Sequence, residues 1–207
     1  MRIGIIGAGW LGGTVGRQWV KAGHEVLFSS RRPERFERLA GELGARAVAG
    51  AVAKAAAFGP VVLIATPYEA LAAIGRDHES ALRGKIVLDA TNPASSGPFA
   101  KDAEKDGVGP TSARLLSGAR LVRAFSAVDA TAIEASGAGR GERLAVPLAG
   151  DDREALETAV QLVYDAGCEP LVVGDLAAAR SFQRHGPGFR ANTNLRKLRR
   201  LLGFVDA

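Results

Sequence analysis

Sulfur is scarce in this chain of 207 residues, which has one cysteine, Cys168, and one methionine. A single cysteine excludes an internal disulfide, and its place at the rim of an apolar run predicts a small buried hydrophobe. Three histidines and that cysteine fall at no metal-ligand spacing, so no metal centre is expected. No apolar run approaches the roughly 20 residues of a membrane-spanning helix. The chain enters a strand at once, with no leader expected ahead of it. A soluble, cytoplasmic protein with no membrane partner is the expectation. The formal net charge of +5 is scattered until the C-terminus, which suits anionic small molecules and argues against nucleic acid.

What is present begins at the N-terminus. Arg2-Ile3-Gly4-Ile5-Ile6 is short, apolar and β-branched, and reads as a buried strand. Gly7-Ala8-Gly9-Trp10-Leu11-Gly12 follows directly as G-x-G-x-x-G, and Leu11, Val15 and Trp19 then share one helix face up to Gly23. Glu25 to Ser30 is a second strand. The glycines have separate tasks: Gly7 permits the turn, Gly9 lets a pyrophosphate approach the backbone, and Gly12 brings helix and sheet together. The helix N-terminus offers free N–H groups to phosphate. With its strand before and its helix after, the motif predicts a dinucleotide site on a doubly wound (Rossmann) α/β sheet.

The end of the second strand selects the dinucleotide. An acid there would take the ribose 2′-hydroxyl of NAD. Ser29-Ser30-Arg31-Arg32 stands there instead, with no acid before Glu34. A serine hydroxyl and a guanidinium suit a 2′-phosphate, so NADP(H) is expected. The alternative is that Arg31 and Arg32 are solvated surface charges, as at least one of them is expected to be.

Further strands are expected at 46–49, 61–65, 85–90, 121–125, 144–149 and 169–173, mostly parallel and alternating with helices. Pro147 predicts an edge position or a bulge in its strand. Thr66-Pro67 should cap and open a helix through Ile74. Their loop lies across the topological switch from the first strand and should face the cofactor, with Ala65, Thr66 and Pro67 in it. Thr91 and Asn92 end the next strand at the same edge. Asn92 serves either the nicotinamide or only a turn before Pro93. Residues 94–109 read as a loop, with Asp102, Glu104 and Asp106 a solvated face, and residues 126–143 as a mobile Gly/Ala-rich stretch. A helix is expected from Asp175 to Arg184. The division is a dinucleotide-binding domain at 1–184 and a basic helical tail at 185–207. In the tail Leu195, Leu198 and Leu202 share a face among arginines, which could dock on the domain, on a second subunit, or beside an anionic ligand.

The Gly-rich opening, Ser30-Arg31-Arg32, Ala65-Thr66-Pro67, Asp89-Ala90-Thr91-Asn92-Pro93 and Arg123-Ala124-Phe125-Ser126 together resemble the NADPH-dependent oxidoreductases of the coenzyme F-420 (8-hydroxy-5-deazaflavin) type. They are also similar to the reductase domain of the STEAP ferric reductases. The resemblance implies that Ser30 and Arg31 hold the 2′-phosphate and that the backbone from Gly9 through Trp10 and Leu11 to Gly12 cradles the pyrophosphate. It implies that Ala65 to Pro67 line the nicotinamide ribose and that the loop after Phe125 shapes a second pocket. Trp10 is bulky where such proteins usually carry a small or polar residue.

Dehydrogenases of hydroxy acids generally need a second domain and a proton-transferring side chain, and neither is evident here. Hydride exchange between nicotinamide and a flavin or deazaflavin ring needs stacking and exclusion of water. That reading leads, with a homodimer expected. A reductase of a small imine, ketone or metal–flavin substrate is second, and a non-catalytic NADP(H)-sensing module is the rival class.

Overall fold

The computed structural model describes residues 1–30, 32 and 34–204. The first half runs β1 (Arg2–Ile6), α1 (Trp10–Lys21), β2 (Glu25–Ser29), α2 (Glu34–Leu43), β3 (Ala47–Gly50), α3 (Val52–Phe58) and β4 (Val61–Ile64). A 3-10 turn at Tyr68–Ala70 leads to α4 (Leu71–Asp77), α5 (Glu79–Leu82) and β5 (Ile86–Asp89). Then come α6 (Ala100–Asp106), α7 (Val108–Leu115), β6 (Arg120–Arg123), α8 (Ala130–Gly137), β7 (Ala145–Gly150), α9 (Arg153–Asp165) and β8 (Glu169–Gly174). A second 3-10 turn, Leu176–Ser181, and α10 (Leu195–Leu201) follow.

The strands form one sheet in the order β3-β2-β1-β4-β5-β6-β7-β8, parallel except between β6 and β7. The direction of winding reverses between β1 and β4, which is the switch point of a doubly wound sheet. Both faces are covered, as a parallel sheet requires. Ile3, Ile5, Val26, Phe28 and Leu63 point toward α1, α2 and α9, while Ile6, Leu27, Val62 and Ile64 point toward the helices of the other face. Cys168 is buried as expected.

Several local expectations are corrected. Residues 94–109 are not a loop, because α6 and α7 occupy most of them. Gly107, at φ 89°, marks the break between the two helices. Pro110 falls in the first turn of α7, where its missing N–H costs nothing. Within 126–143, residues Ala130–Gly137 form α8, which approaches α1 so closely that a Cβ on Gly137 would lie 2.6 Å from the Gln18 side chain. The helix after β4 starts at Leu71 behind the 3-10 turn, and Thr66 makes no cap hydrogen bond to it. The helix expected from Asp175 is a 3-10 turn, capped by the Asp175 carboxylate accepting from Ala178 N–H at 2.9 Å.

Pro147 lies within a strand flanked on both sides, not at an edge. It is tolerated because β6 reaches only Ala149 and Gly150, and the register shifts between Leu148 and Ala149, the bulge that proline predicts. In the tail, α10 seats Leu198 against Ala145 and Leu171 with Leu195 and Leu202 beside it, so its apolar stripe is covered by its own subunit.

Candidate functional site at the switch point

Gly7 turns out of β1 at φ 93°, in a conformation that L side chains rarely adopt, and a Cβ there would come within 2.6 Å of Ala65 O. The turn is held by Ser29, whose carbonyl accepts from the N–H of Gly7 at 3.0 Å and of Ala8 at 2.8 Å. A Cβ added to Gly12 would lie 2.5 Å from Gly7 O, so α1 starts directly against the strand it leaves. Gly9 is different: a Cβ there meets nothing within 4 Å.

The N-terminus of α1 carries no side-chain cap and no acid in its first turn. Its first helical bond runs from Gly13 N–H to Gly9 O at 2.8 Å, which leaves the N–H groups of Trp10, Leu11 and Gly12 outside the helical ladder. A phosphate is the natural partner for such a terminus. The Trp10 side chain stands largely in solvent beside it.

At the end of β2, the Ser29 hydroxyl points into the sheet and donates to Ile5 O at 2.7 Å with no exposure. The structure therefore gives Ser29 the task of holding the glycine turn and turns its hydroxyl away from the 2′-phosphate expected there. The Ser30 hydroxyl accepts from Arg32 N–H at 3.0 Å, shaping the corner, and Arg32 is exposed. Arg31 lies outside the described residues, as does Pro33.

Across the switch point, Ala65 N–H donates to Ile6 O at 2.8 Å, joining the β4 loop to the end of β1. Thr66 stands over the glycine turn, its methyl 2.7 Å from where a Cβ on Gly7 would be. Its buried hydroxyl has no hydrogen-bond partner. Pro67 is exposed at the mouth.

The end of β5 is organised by a pair of charges absent from the expected site. Arg123 and Asp89, adjacent in the β5–β6 register, form an ion pair at 2.5 Å with neither side chain exposed. Asp89 also accepts from Thr91 N–H at 2.9 Å and from the Thr91 hydroxyl at 2.6 Å. Arg123 donates to Thr91 O at 2.6 Å and to Asn92 Oδ1 at 3.3 Å. Asn92 in turn donates to Ser126 O at 2.7 Å. Both ends of the Asn92 amide are thus engaged, and its role is to tie the β5 loop to the β6 loop. Two orphan polar atoms remain there, Arg123 Nε and Ser126 Oγ. The signal available in the sequence was opposite charges inside two apolar strands, since buried charges must pair.

Behind this loop Ser112 donates to the Tyr68 hydroxyl at 3.2 Å, and Tyr68 stacks edge-to-face with Phe99 at 5.6 Å. Burial pushes the Tyr68 phenol above its ordinary range, against the lowering effect of the Ser112 hydrogen bond. Phe125, at φ 57°, turns the chain after β6 and meets Trp19 edge-to-face at 6.0 Å. Beyond Asn92 a cavity of about 340 Å³ opens between the loop at Pro93–Ser95, the start of the α6–α7 pair, and the segment from Arg180 to His185. Among the described residues no cluster of His, Cys, Asp or Glu could hold a metal ion, and no helix is long and apolar enough to cross a membrane.

The chain is similar to several known proteins. Residues 2–93 match the model of the family described as NADP oxidoreductase coenzyme F420-dependent. Metalloreductase STEAP3 of Rattus norvegicus is 28% identical over 189 residues, which is 88% of this chain. The chain spans 36% of that protein's length. The hypothetical protein SMa0349 from Sinorhizobium meliloti superposes with a TM-score of 0.79 at 26% identity, covering 92% of this chain and 93% of that one. An Arthrobacter sp. FB24 protein proposed to be an F420-dependent NADP reductase gives 0.72 at 26% identity, covering 87% and 88%.

Proposed function

We propose that this chain, an NADP-dependent oxidoreductase whose residues 2–93 match the coenzyme F420-dependent family, passes hydride between NADP(H) and a flavin-like or deazaflavin ring such as coenzyme F-420. The observation that carries the reading is the uncapped N-terminus of α1, open at Gly9 and set beside the switch point. NADP(H) fits there. The N–H groups of Trp10, Leu11 and Gly12 would take the pyrophosphate. Ser30 with Arg31 or Arg32 would take the 2′-phosphate. The orphan Thr66 hydroxyl, with Ala65 and Pro67, would meet the nicotinamide ribose. Thr91 and Asn92 would border the nicotinamide.

Bound there, the nicotinamide supplies or accepts hydride. The residues of this chain position and shield. Asp89 and Arg123 hold the β5 loop rigid at the place where two rings would meet. The buried charged and phenolic groups named at that edge have structural partners: Asp89 with Arg123 and Thr91, Tyr68 with Ser112. An exchange that needs alignment more than proton transfer suits such an edge.

A homodimer belongs to the same proposal. It would bury apolar side chains left exposed toward the β8 end of the sheet, among them Tyr164, Val172 and Leu201. So does a cytoplasmic location, which suits a chain whose one cysteine is buried and unpaired.

The test is loss of NADPH absorbance in the presence of FMN, FAD, deazaflavin or ferric chelates. Oxidation with a flavin or deazaflavin is expected. Tight NADPH binding without oxidation by any of them would leave the sensing module, and turnover only with imines or ketones the alternative reductase.

A further inference from the structure

We propose that the cavity beyond Asn92 receives an anionic group carried by the acceptor, a phosphate or carboxylate, and that Arg184 is the residue that recognises it. The proposal rests on the hydride-exchange reading of the same edge.

The cavity continues the site directly. Pro93 and Ala94, which line it, follow Asn92 on the β5 loop. At about 340 Å³ it lies toward the lower end of the range for small-molecule pockets, enough for part of a ligand whose ring lies elsewhere on the edge. Its floor is apolar, with Ala103 and Val108 buried, and its cationic wall comes from the segment after β8.

The two arginines of that wall have different roles. Arg180 donates to Glu104 O and Lys105 O, each at 2.8 Å, and so spends both terminal nitrogens on carbonyls at the end of α6. It pins the segment, helped by Gln183, which accepts from Val108 N–H at 2.8 Å. Arg184 is held from behind. Its Nε donates to Pro93 O at 3.3 Å and its guanidinium lies 5.4 Å from the Phe189 ring centroid. Its two terminal nitrogens make no hydrogen bond to described residues. A half-buried guanidinium held through Nε, with the edge formed by its two terminal nitrogens free, is arranged to grip a planar or tetrahedral oxyanion bidentately. The one carboxylate on the wall, Glu104, is exposed on α6 and opposes the anion weakly through solvent.

Riboflavin and FMN separate the roles of ring and anion, since they differ by one phosphate. Flavin fluorescence is titrated with the full chain saturated with NADP⁺, so the readout is binding and not turnover. The wild-type protein should bind FMN about 10- to 100-fold more tightly than riboflavin, the range of a charge-assisted hydrogen bond. Arg184→Ala and Arg184→Gln should erase that preference, and Arg184→Lys should keep part of it. Inorganic phosphate should compete against FMN in the wild type and not in Arg184→Gln. Equal binding of the two flavins, no measurable binding of either, or a preference that survives in both neutral variants would each overturn the proposal. Thermal melts of the variants guard against misfolding. A preference that depends on Arg184, alongside NADPH that no flavin oxidises, would keep this site and sink the hydride-exchange reading alone.

Discussion

Arg123 and Asp89 sit side by side at the ends of β6 and β5, in register, ion-paired and out of contact with solvent. The pair does not define the fold, because replacing a buried ion pair by apolar groups is often neutral. It does define one arrangement of the Thr91–Asn92 loop, which hangs from both partners. Asp89→Ala leaves a buried guanidinium uncompensated and should cost about 3–5 kcal/mol in urea denaturation. The double variant Asp89→Leu/Arg123→Met should recover most of that stability while NADPH oxidation stays depressed, because the loop has lost its tether. Full recovery of turnover in the double variant would show that the pair has no positioning role.

The glycines of the turn should separate folding from binding. A Cβ on Gly9 meets nothing within 4 Å, so Gly9→Val should melt like wild type yet lose NADPH and NADH alike. A Cβ on Gly7 meets backbone and sits at φ 93°, so Gly7→Ala should lower the melting temperature. Calorimetric titration beside a thermal melt distinguishes the two. Retained nucleotide binding in Gly9→Val would remove the pyrophosphate from this loop.

Cofactor choice should reside in the β2 corner. Loss of one charge-assisted hydrogen bond, about 1.5–3 kcal/mol, predicts that Arg31→Ala weakens NADPH about 10- to 100-fold and leaves NADH nearly unchanged. Arg32→Ala is made in parallel, and the arginine whose loss is selective for NADPH is the one that serves the 2′-phosphate. Equal losses for both nucleotides in Arg31→Ala would count against a 2′-phosphate role.

A pH effect is expected where β6 meets α9. Arg120 chelates Asp152 at 2.8 and 2.6 Å, and Asp152 also caps α9 by accepting from Ala155 N–H. The Arg120 hydrogen bond first, then that N–H, hold the Asp152 carboxyl down at about 2, below its ordinary 3.8. A carboxyl depressed in the folded state stabilises fully above its unfolded pKa, and that stabilisation is lost as pH falls through the folded value. The melting-temperature difference between wild type and Asp152→Asn should therefore be constant near neutrality and shrink between about pH 4 and pH 2. A difference that instead grew on acidification would contradict the sign.

Periodicity and turn chemistry are local, and for that reason much of the fold was legible in the chain. A short run with three isoleucines, a glycine motif and a helical stripe through Val15 and Trp19 were enough for β1, α1 and the glycine turn between them. The alternation that follows was enough for a doubly wound sheet. Polar sequence with Gly and Pro at 94–109, and Gly with Ala at 126–143, suggest irregular chain, yet Gly107 is a helix break and Gly137 a close helix crossing. Composition alone cannot tell a flexible glycine from one pressed against Gln18. The long-range pairs were decided only by the tertiary structure. Asp89 and Arg123 are 34 positions apart and become partners through sheet register, while the Ser29 hydroxyl turns inward because Ile5 O lies beside it in the neighbouring strand. The basic tail likewise carries an apolar stripe that any surface could cover. Its own β7 and β8 cover it, while Arg184 is held at the cavity by Pro93 and Phe189.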